Sequence, residues 1–314
     1  MLQADIGAHI GEASARETAD TIVRAERAGV PAYWLTIGPS DPLISFAAAA
    51  VQTSSIKMGT SIVPTYPRHP LALAMQAVAL GQLMPGRFIL GVGPSHRPTM
   101  ENTWGITFER PLSHLREYVS VLRGALTTGE VDVEGRFFRV HTRVANPPQV
   151  PIMISALREA SFRLAGEIAD GAISWVCPAD YLARVAKPAI EEGARKAGRP
   201  APALVAHCFL VADENLDAVR EIAQQRASNY PRLPFYASMF EAAGYPEAKE
   251  GTLSERMMDA IVVHGNEDQI ARGLQAFVDA GASEIIASVL PTGSDRRASA
   301  ERALKTIGAL SARA

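Results

Sequence analysis

The sequence predicts an α/β fold, a (β/α)8 TIM barrel with insertions. Short apolar runs alternate with longer amphipathic runs, the chain opens on a strand pattern, and it ends on a helix pattern. A chain of 314 residues with 47% hydrophobic residues suits one large barrel or two average domains, and the unbroken alternation favours the barrel. A doubly wound sheet, the main alternative, normally carries its nucleotide loop after the first strand, where this chain has only GAHIGEAS.

Eight apolar runs have the length and composition of buried strands. They cover residues 3–9, 32–37, 57–63, 88–92, 151–155, 172–175, 203–211 and 284–290. The amphipathic runs between them are predicted helices. The first begins at an N-cap, Ser14, with Glu17 three residues later, places Ala19 and Ile22 on one stripe, and ends at Gly29. The same spacing recurs in HPLALAMQAVALGQLM, ERPLSHLREYVSVLRGAL, SFRLAGEIADG, DYLARVAKPAIEEGARKAG and ASAERALKTIGALSA.

We expect a single domain over residues 1–314, with insertions near 94–110, 129–150 and 229–266. VDVEGRFFRV, at 131–140, has the pattern of a small hairpin placed before the fifth strand. Residues 229–266 contain several prolines and follow the seventh helix, where a barrel carries a lid or a substrate wall.

Composition excludes several classes of partner. A net charge of −2 gives no long-range attraction to nucleic acid or to an anionic membrane. The two cysteines, Cys177 and Cys208, form no zinc or disulfide motif, and no basic leader or long apolar run is visible. We therefore expect a cytoplasmic protein that acts on a small molecule.

Residue types at the predicted strand ends exclude several classes of enzyme. Of the five lysines only Lys57 touches a strand, at its entry, so a Schiff-base site is not expected. The seven histidines show no metal-binding spacing, so no metal is expected, and strands two to six lack the terminal carboxylates of a glycosidase. GVGPSH does not complete GxGxxG. An apolar mouth with small residues and hydroxyls suits a flat, bulky cofactor.

Three blocks resemble the luciferase-like monooxygenase superfamily, specifically its branch of coenzyme F420-dependent oxidoreductases. They are GTSIVPTYPRHPLALAMQAVALGQLMPGRFILGVGPSH (59–96), GITFERPLSHLREYVSVLR (105–123) and PIMISALREASFRLAGEIADGAISW (151–175). The resemblance implies a bacterial luciferase-like barrel, a homodimer, and F420, or alternatively FMN, as the cofactor.

The resemblance also implies where the cofactor binds. In relatives a non-prolyl cis peptide follows the GT of strand three, which here is Thr60 followed by Ser61–Ile62. Two further stretches match the family's cradle for the cofactor side chain and phosphate. They are Gly93, Pro94, Ser95 and His96 after strand four, and Ser155, Ala156, Leu157 and Arg158 after strand five. Many relatives have a glycine near Leu157, so the close backbone approach is in question there.

Roles remain open for three residues. His96 is predicted as the catalytic residue, either as a general acid or base near its ordinary pKa of about 6.5 or as a cofactor contact. Arg158 either pairs with the cofactor phosphate or is a solvated helix-start arginine. His9 either lines the substrate side or is a core histidine, whereas Trp34 and Trp175 are interpreted as barrel packing.

One departure from the family guides the functional prediction. Where alcohol- and sugar-phosphate-oxidising relatives carry an Asp-His pair, this chain has Ile37-Gly38. The predicted function is therefore F420-dependent hydride transfer to or from a small organic substrate, with reduction favoured. The alternatives are an FMN-dependent monooxygenase served by a partner reductase and, from another class, a non-catalytic flavin- or deazaflavin-binding protein.

Overall fold

A computed structural model describes residues 3–11, 14–38 and 40–312. The strands are β1 (Asp5–His9), β2 (Ala32–Leu35), β3 (Lys57–Thr60), β4 (Val63–Pro64), β5 (Phe88–Gly93), β6 (Glu130–Glu134), β7 (Arg139–Arg143), β8 (Ile152–Ser155), β9 (Gly171–Ile173), β10 (Ala203–Val211), β11 (Val262–His264) and β12 (Glu284–Val289).

Helices surround these strands. The α-helices are α1 (Ala15–Arg27), α2 (Pro42–Ala50), α3 (Pro70–Leu83), α4 (Pro111–Arg123), α5 (Glu159–Ile168), α6 (Ala179–Tyr181), α7 (Lys187–Lys196), α8 (Leu216–Ala227), α9 (Pro234–Ala242), α10 (Glu255–Ile261), α11 (Glu267–Asp279) and α12 (Arg296–Ser311). Short π-helical segments cover Thr99–Thr103, Gly124–Thr128 and Leu182–Ala186, and 3-10 turns cover Tyr230–Arg232 and Pro246–Glu250. No helix in the described ranges has the length and apolar character needed to cross a membrane.

Eight parallel strands close into a barrel, which confirms the predicted fold. The ring runs β1-β2-β3-β5-β8-β9-β10-β12 and returns from β12 to β1 through five paired residues, Asp5–His9 with Glu284–Ser288. The predicted hairpin is also confirmed, because β6 and β7 pair antiparallel outside the barrel, with Glu130 opposite Arg143.

Two strand predictions were wrong in detail. The run 57–63 is not one strand, because it is interrupted between β3 and β4 at residues 61–62. Strand β11, which pairs beside the C-terminal end of β10, was not predicted from the sequence. This strand has only three residues, too few for its alternation to stand out in sequence.

The first helix forms for the reasons evident in its sequence. Ser14 Oγ accepts from the Glu17 backbone N–H at 3.2 Å, and the same hydroxyl donates to the Glu17 carboxylate at 2.8 Å. Gly29, at φ 82°, provides the left-handed turn after the helix. Ala19 and Ile22 are buried, so the predicted apolar stripe faces the barrel.

The lower part of the barrel is filled by Trp34. A Cβ on Gly7 or Gly59 would overlap its indole, so both strands need glycine beside it. The Trp34 Nε1–H donates to Glu284 at 2.8 Å, and burial raises the pKa of that carboxyl to about 7. Ile62 and Trp175 pack on the top of this inner core, which leaves the C-terminal end of the barrel open.

Candidate active site

A cavity of about 640 Å³ lies at the C-terminal ends of the barrel strands. Each of the eight barrel strands, or the loop after it, contributes to its wall. This is the face on which barrels of this kind carry their active sites. The 229–266 segment adds Tyr230, Leu233, Phe235 and Tyr236 to the wall.

Most of the predicted site residues line this one cavity. They are Ser61, Ile62, Pro94, Ser95, His96, Ser155, Leu157 and Arg158. Thr60, Gly93 and Ala156 are buried and are not part of its lining. Their predicted contact with a cofactor stays a prediction.

Thr60 and Gly93 lie behind the cavity lining and hold the strands that form its wall. The Thr60 hydroxyl donates to the Gly91 carbonyl at 2.7 Å and accepts from the Gly91 N–H at 2.8 Å. It therefore joins β3 to β5 just before β3 is interrupted. A Cβ on Gly93 would overlap the Oγ of Ser155, so glycine lets β5 and β8 bring Ser155 to the cavity surface.

The predicted cis peptide is confirmed between Ser61 and Ile62. The Ser61 N–H donates to the Leu35 carbonyl at 2.7 Å. Its Oγ is buried and has no hydrogen-bond partner among the described residues, although Ser61 lines the cavity. A bound molecule that offers a polar group here would satisfy this hydroxyl.

One end of the cavity, which we call the α5 end, consists of Ser95, Ser155, Arg158, Ala160 and Ser161. The backbone amides of Leu157 and Arg158 both donate to Ser161 Oγ, at 3.1 and 3.0 Å. Those of Glu159 and Ala160, at the start of α5, have no acceptor among the described residues. Free amides at a helix N-terminus favour an anion, and the exposed Arg158 has no ion pair in the described ranges.

His96 lies between this end and the inserted segment. Its ring is 5.1 Å from that of Tyr236 and 6.1 Å from that of Phe235. Burial lowers the pKa of His96, and its Nδ1 is buried without a partner among the described residues. A neutral imidazole follows, with both predicted roles still open.

The opposite end, which we call the His9 end, consists of His9, Trp175, Arg226, Tyr230 and Ser288. Ser288 Oγ lies 2.9 Å from His9 Nδ1 and 2.8 Å from Nε2 of the buried His207. Burial, and secondarily Arg226, lowers the pKa of His9 to about 4. Burial also lowers the pKa of His207 well below its usual value, so both imidazoles are neutral.

Trp175 contacts both His207, which is bonded to Ser288, and Tyr230. Its indole stacks on His207, with ring centroids 3.6 Å apart, and its Nε1–H donates to the Tyr230 hydroxyl at 2.7 Å. The interpretation of Trp175 as barrel packing is confirmed by its contact with the inner core, and its indole, two residues beyond β9, also lines the cavity. For Trp34 the same interpretation is confirmed.

A family model described as luciferase-like monooxygenase matches residues 1–284. The chain belongs to the luciferase-like monooxygenase family. A 5,10-methylenetetrahydromethanopterin reductase of Methanolobus tindarius is 29% identical over 308 residues, 90% of this chain and 92% of that protein. An F420-dependent glucose-6-phosphate dehydrogenase of Nakamurella multipartita is 29% identical over 304 residues, 86% and 85% of the two chains.

Solved structures of the fold agree with the barrel. The coenzyme F420-dependent tetrahydromethanopterin reductase of Methanopyrus kandleri superposes with a TM-score of 0.74 at 24% identity, covering 97% of both chains. The oxygenating constituent of 3,6-diketocamphane monooxygenase of Pseudomonas putida, in complex with FMN, gives 0.75 at 19% identity and 97% of both chains. Together with the sequence relatives, these findings make the chain an oxidoreductase of this family.

Sequence reasoning missed four functional candidates of this luciferase-like barrel: His207, Arg226, Tyr230 and Ser288. His207 carried a usable signal, since it interrupts the apolar run of β10, where a buried polar side chain needs a partner. The other three occupy unremarkable sequence positions. They become candidates only because the fold brings them to the cavity.

Proposed function

We propose that this protein is an F420-dependent reductase that acts on a small organic substrate. One observation carries the direction of the reaction. Among the described residues that line the cavity there are cations, neutral imidazoles and hydroxyls, but no carboxylate. The relatives named as F420-dependent, at similar identity over most of the chain, support the choice of cofactor.

The residues at the α5 end fit the phosphate-bearing side chain of such a cofactor. Arg158 and the free amides of Glu159 and Ala160 would hold the phosphate. The hydroxyls of Ser95 and Ser155 also belong to the α5 end. Ser61, with its unpaired hydroxyl, and Ile62 would border the ring. When bound, a deazaflavin supplies a hydride donor or acceptor to the cavity.

The other lining residues favour reduction. Alcohol oxidation requires a base that removes the hydroxyl proton, and Ile37 lines the cavity where alcohol-oxidising relatives carry their Asp-His pair. Reduction requires donors that stabilise negative charge developing on the substrate. Neutral histidines and tyrosines supply such donors in a cavity with largely apolar walls.

Titration of the full-length protein with F420 and with FMN tests the proposal. We expect F420 to bind with a Kd in the micromolar range, and Arg158→Gln to weaken it roughly tenfold because an ion pair to phosphate is lost. Arg195→Gln, an exposed arginine on α7 outside the cavity, is the matched control and leaves F420 binding unchanged.

Two outcomes would overturn the proposal. Binding of FMN without binding of F420 would support the monooxygenase alternative. Tight F420 binding with no change in absorbance for any donor or acceptor in a panel of alcohols, carbonyl compounds, imines and activated alkenes would support a binding protein without turnover.

A further inference from the structure

The His9 end is a polar site that the proposed role of the α5 end leaves unused. We propose that it binds the carboxylate of a small anionic substrate, with Arg226 supplying the charge and with His9 and Tyr230 supplying hydrogen bonds. The substrate class rests on the proposed function, whereas the anion site rests on the hydrogen bonds and the charge of the His9 end.

The hydrogen-bond chain fixes which nitrogen of His9 carries the proton. The backbone N–H of Val176 donates to Nδ1 of His207 at 3.2 Å, so a neutral His207 carries its proton on Nε2. That proton is donated to Ser288 Oγ, and the Ser288 hydroxyl in turn donates to Nδ1 of His9. His9 is therefore protonated on Nε2, an atom that no described protein group accepts from.

The chain begins at a backbone amide, which cannot change its role. Val176 has a φ of 48°, a conformation that β-branched residues rarely adopt, and this aims its N–H at His207. The polarity of every following bond is then set. His9 is consequently held as a donor, because accepting a hydrogen bond on Nε2 would require the whole chain to reverse.

Tyr230, like His9, is left as a hydrogen-bond donor, here because of a hydrogen bond from Trp175. Its hydroxyl oxygen accepts from Trp175 Nε1–H at 2.7 Å, so its own proton is left to donate. No acceptor for that proton exists among the described residues, and Tyr230 lines the cavity. His9 and Tyr230 thus both present donors next to Trp175, whose ring centroid is 5.8 Å from that of His9 and whose Nε1–H is bonded to Tyr230.

Arg226 adds a positive charge to these donors. It lines the cavity from the last turn of α8 and forms no ion pair with any described carboxylate. Its charge acts on both neighbours: it adds to the lowering of the His9 pKa that burial causes, and it partly offsets the rise in the Tyr230 pKa that burial causes. Three donors without an acceptor suit an oxyanion.

The chemistry of the surroundings selects a carboxylate over a phosphate. One arginine and two neutral donors match a single negative charge, whereas a phosphate dianion would leave charge unbalanced beside apolar walls. Phe209, Leu233 and Leu290 provide those walls and would pack against the organic part of the substrate.

Benzoate and benzamide are probes of equal shape that differ in charge, and calorimetric titration of the full-length protein compares them. We expect benzoate to bind at least roughly tenfold more tightly than benzamide at neutral pH. Arg226→Gln should abolish that preference, whereas Arg220→Gln, an exposed arginine on the same helix outside the cavity, should retain it. Tyr230→Phe, which keeps the ring, should weaken benzoate about threefold.

Equal binding of the two probes, no binding of benzoate, or a preference that survives in Arg226→Gln would each overturn the inference. F420 binding is measured on the same samples. If F420 binds normally while the preference for benzoate is absent, only the carboxylate site is refuted. If F420 fails to bind while the preference is present, only the proposed cofactor is refuted.

Discussion

The two ends of the cavity are built in different ways. The α5 end comes from Ser95 and from the short stretch 155–161, and its amides belong to a helix start that closely follows β8. The His9 end joins residues that are far apart in the chain, with sequence separations of 279 for His9 and Ser288 and 81 for Ser288 and His207. Local sequence therefore creates the first end, and closure of the barrel between β12 and β1 creates the second.

The two ends also use different sources of polarity. At the α5 end, unpaired backbone amides and the helix dipole attract an anion whatever side chains surround them. At the His9 end, the backbone N–H of Val176 fixes the proton positions on the buried His207, on Ser288 and on His9, which lines the cavity. The first arrangement keeps its backbone donors when a side chain is replaced, whereas the second depends on each member of the hydrogen-bond chain.

The largest predicted loss of stability is for a substitution at Gly91 of β5, which lies against Thr60 of β3. A Cβ on Gly91 would overlap the Thr60 carbonyl oxygen, so Gly91→Ala should lower the free energy of unfolding by about 3 kcal/mol in urea denaturation. At the other end, no atom of the described residues lies within 4 Å of where a Cβ on Gly11 would be, and Gly11→Ala should change stability by less than about 0.5 kcal/mol. Similar losses in the two variants would show that the wall is not tightly packed.

The next effect concerns the neutral histidine at the His9 end. Its pKa is about 4 in the folded protein and 6.5 ordinarily, so the folded state binds fewer protons than the unfolded state between those values. Stability is full above pH 6.5 and falls as the pH drops towards 4. His9→Gln removes this dependence on protonation. Between pH 6.5 and pH 4 we expect the free energy of unfolding of the variant to fall by roughly 2 kcal/mol less than that of the wild type.

His141 on the β6–β7 hairpin is the control for that experiment. Hydrogen bonds to Glu134 and Asp132 raise its pKa, so it contributes stability at acid pH. His141→Gln should therefore make the acid loss larger, the opposite sign to His9→Gln. Urea denaturation across the pH series measures both variants, and an unchanged slope in His9→Gln would contradict the assignment of a neutral His9.

The smallest predicted effect is a change in F420 affinity, and it distinguishes the α5 end from the His9 end. Ser155 lines the cavity at the α5 end, and its hydroxyl has no hydrogen-bond partner within the described ranges, so Ser155→Ala should weaken F420 about threefold. Ser288→Ala removes the relay at the His9 end and should leave the F420 affinity within about twofold. Equal weakening by both substitutions in fluorescence titration would mean that the cofactor contacts both ends.

Alternation of apolar and amphipathic runs determined the barrel, because each strand and helix must bury its own apolar face whatever its neighbours are. The N-cap at Ser14 and the hairpin at 131–140 were predictable for the same reason, since caps and turns depend on adjacent residues. Resemblance to a family located Ser61–Ile62 and most of the α5 end, because those residues lie in contiguous, fixed-length motifs.

Tertiary structure decided the rest. Nothing in the sequence around Arg226 or Tyr230 indicates that they share a cavity with His9, and the roles of Trp34 and Trp175 differ only through their height in the barrel. A relay of hydrogen bonds requires atoms within about 3 Å, and residues 279 positions apart reach that distance only when the sheet closes. The sequence by itself thus determined the barrel and most of the α5 end, while barrel closure decided the His9 end.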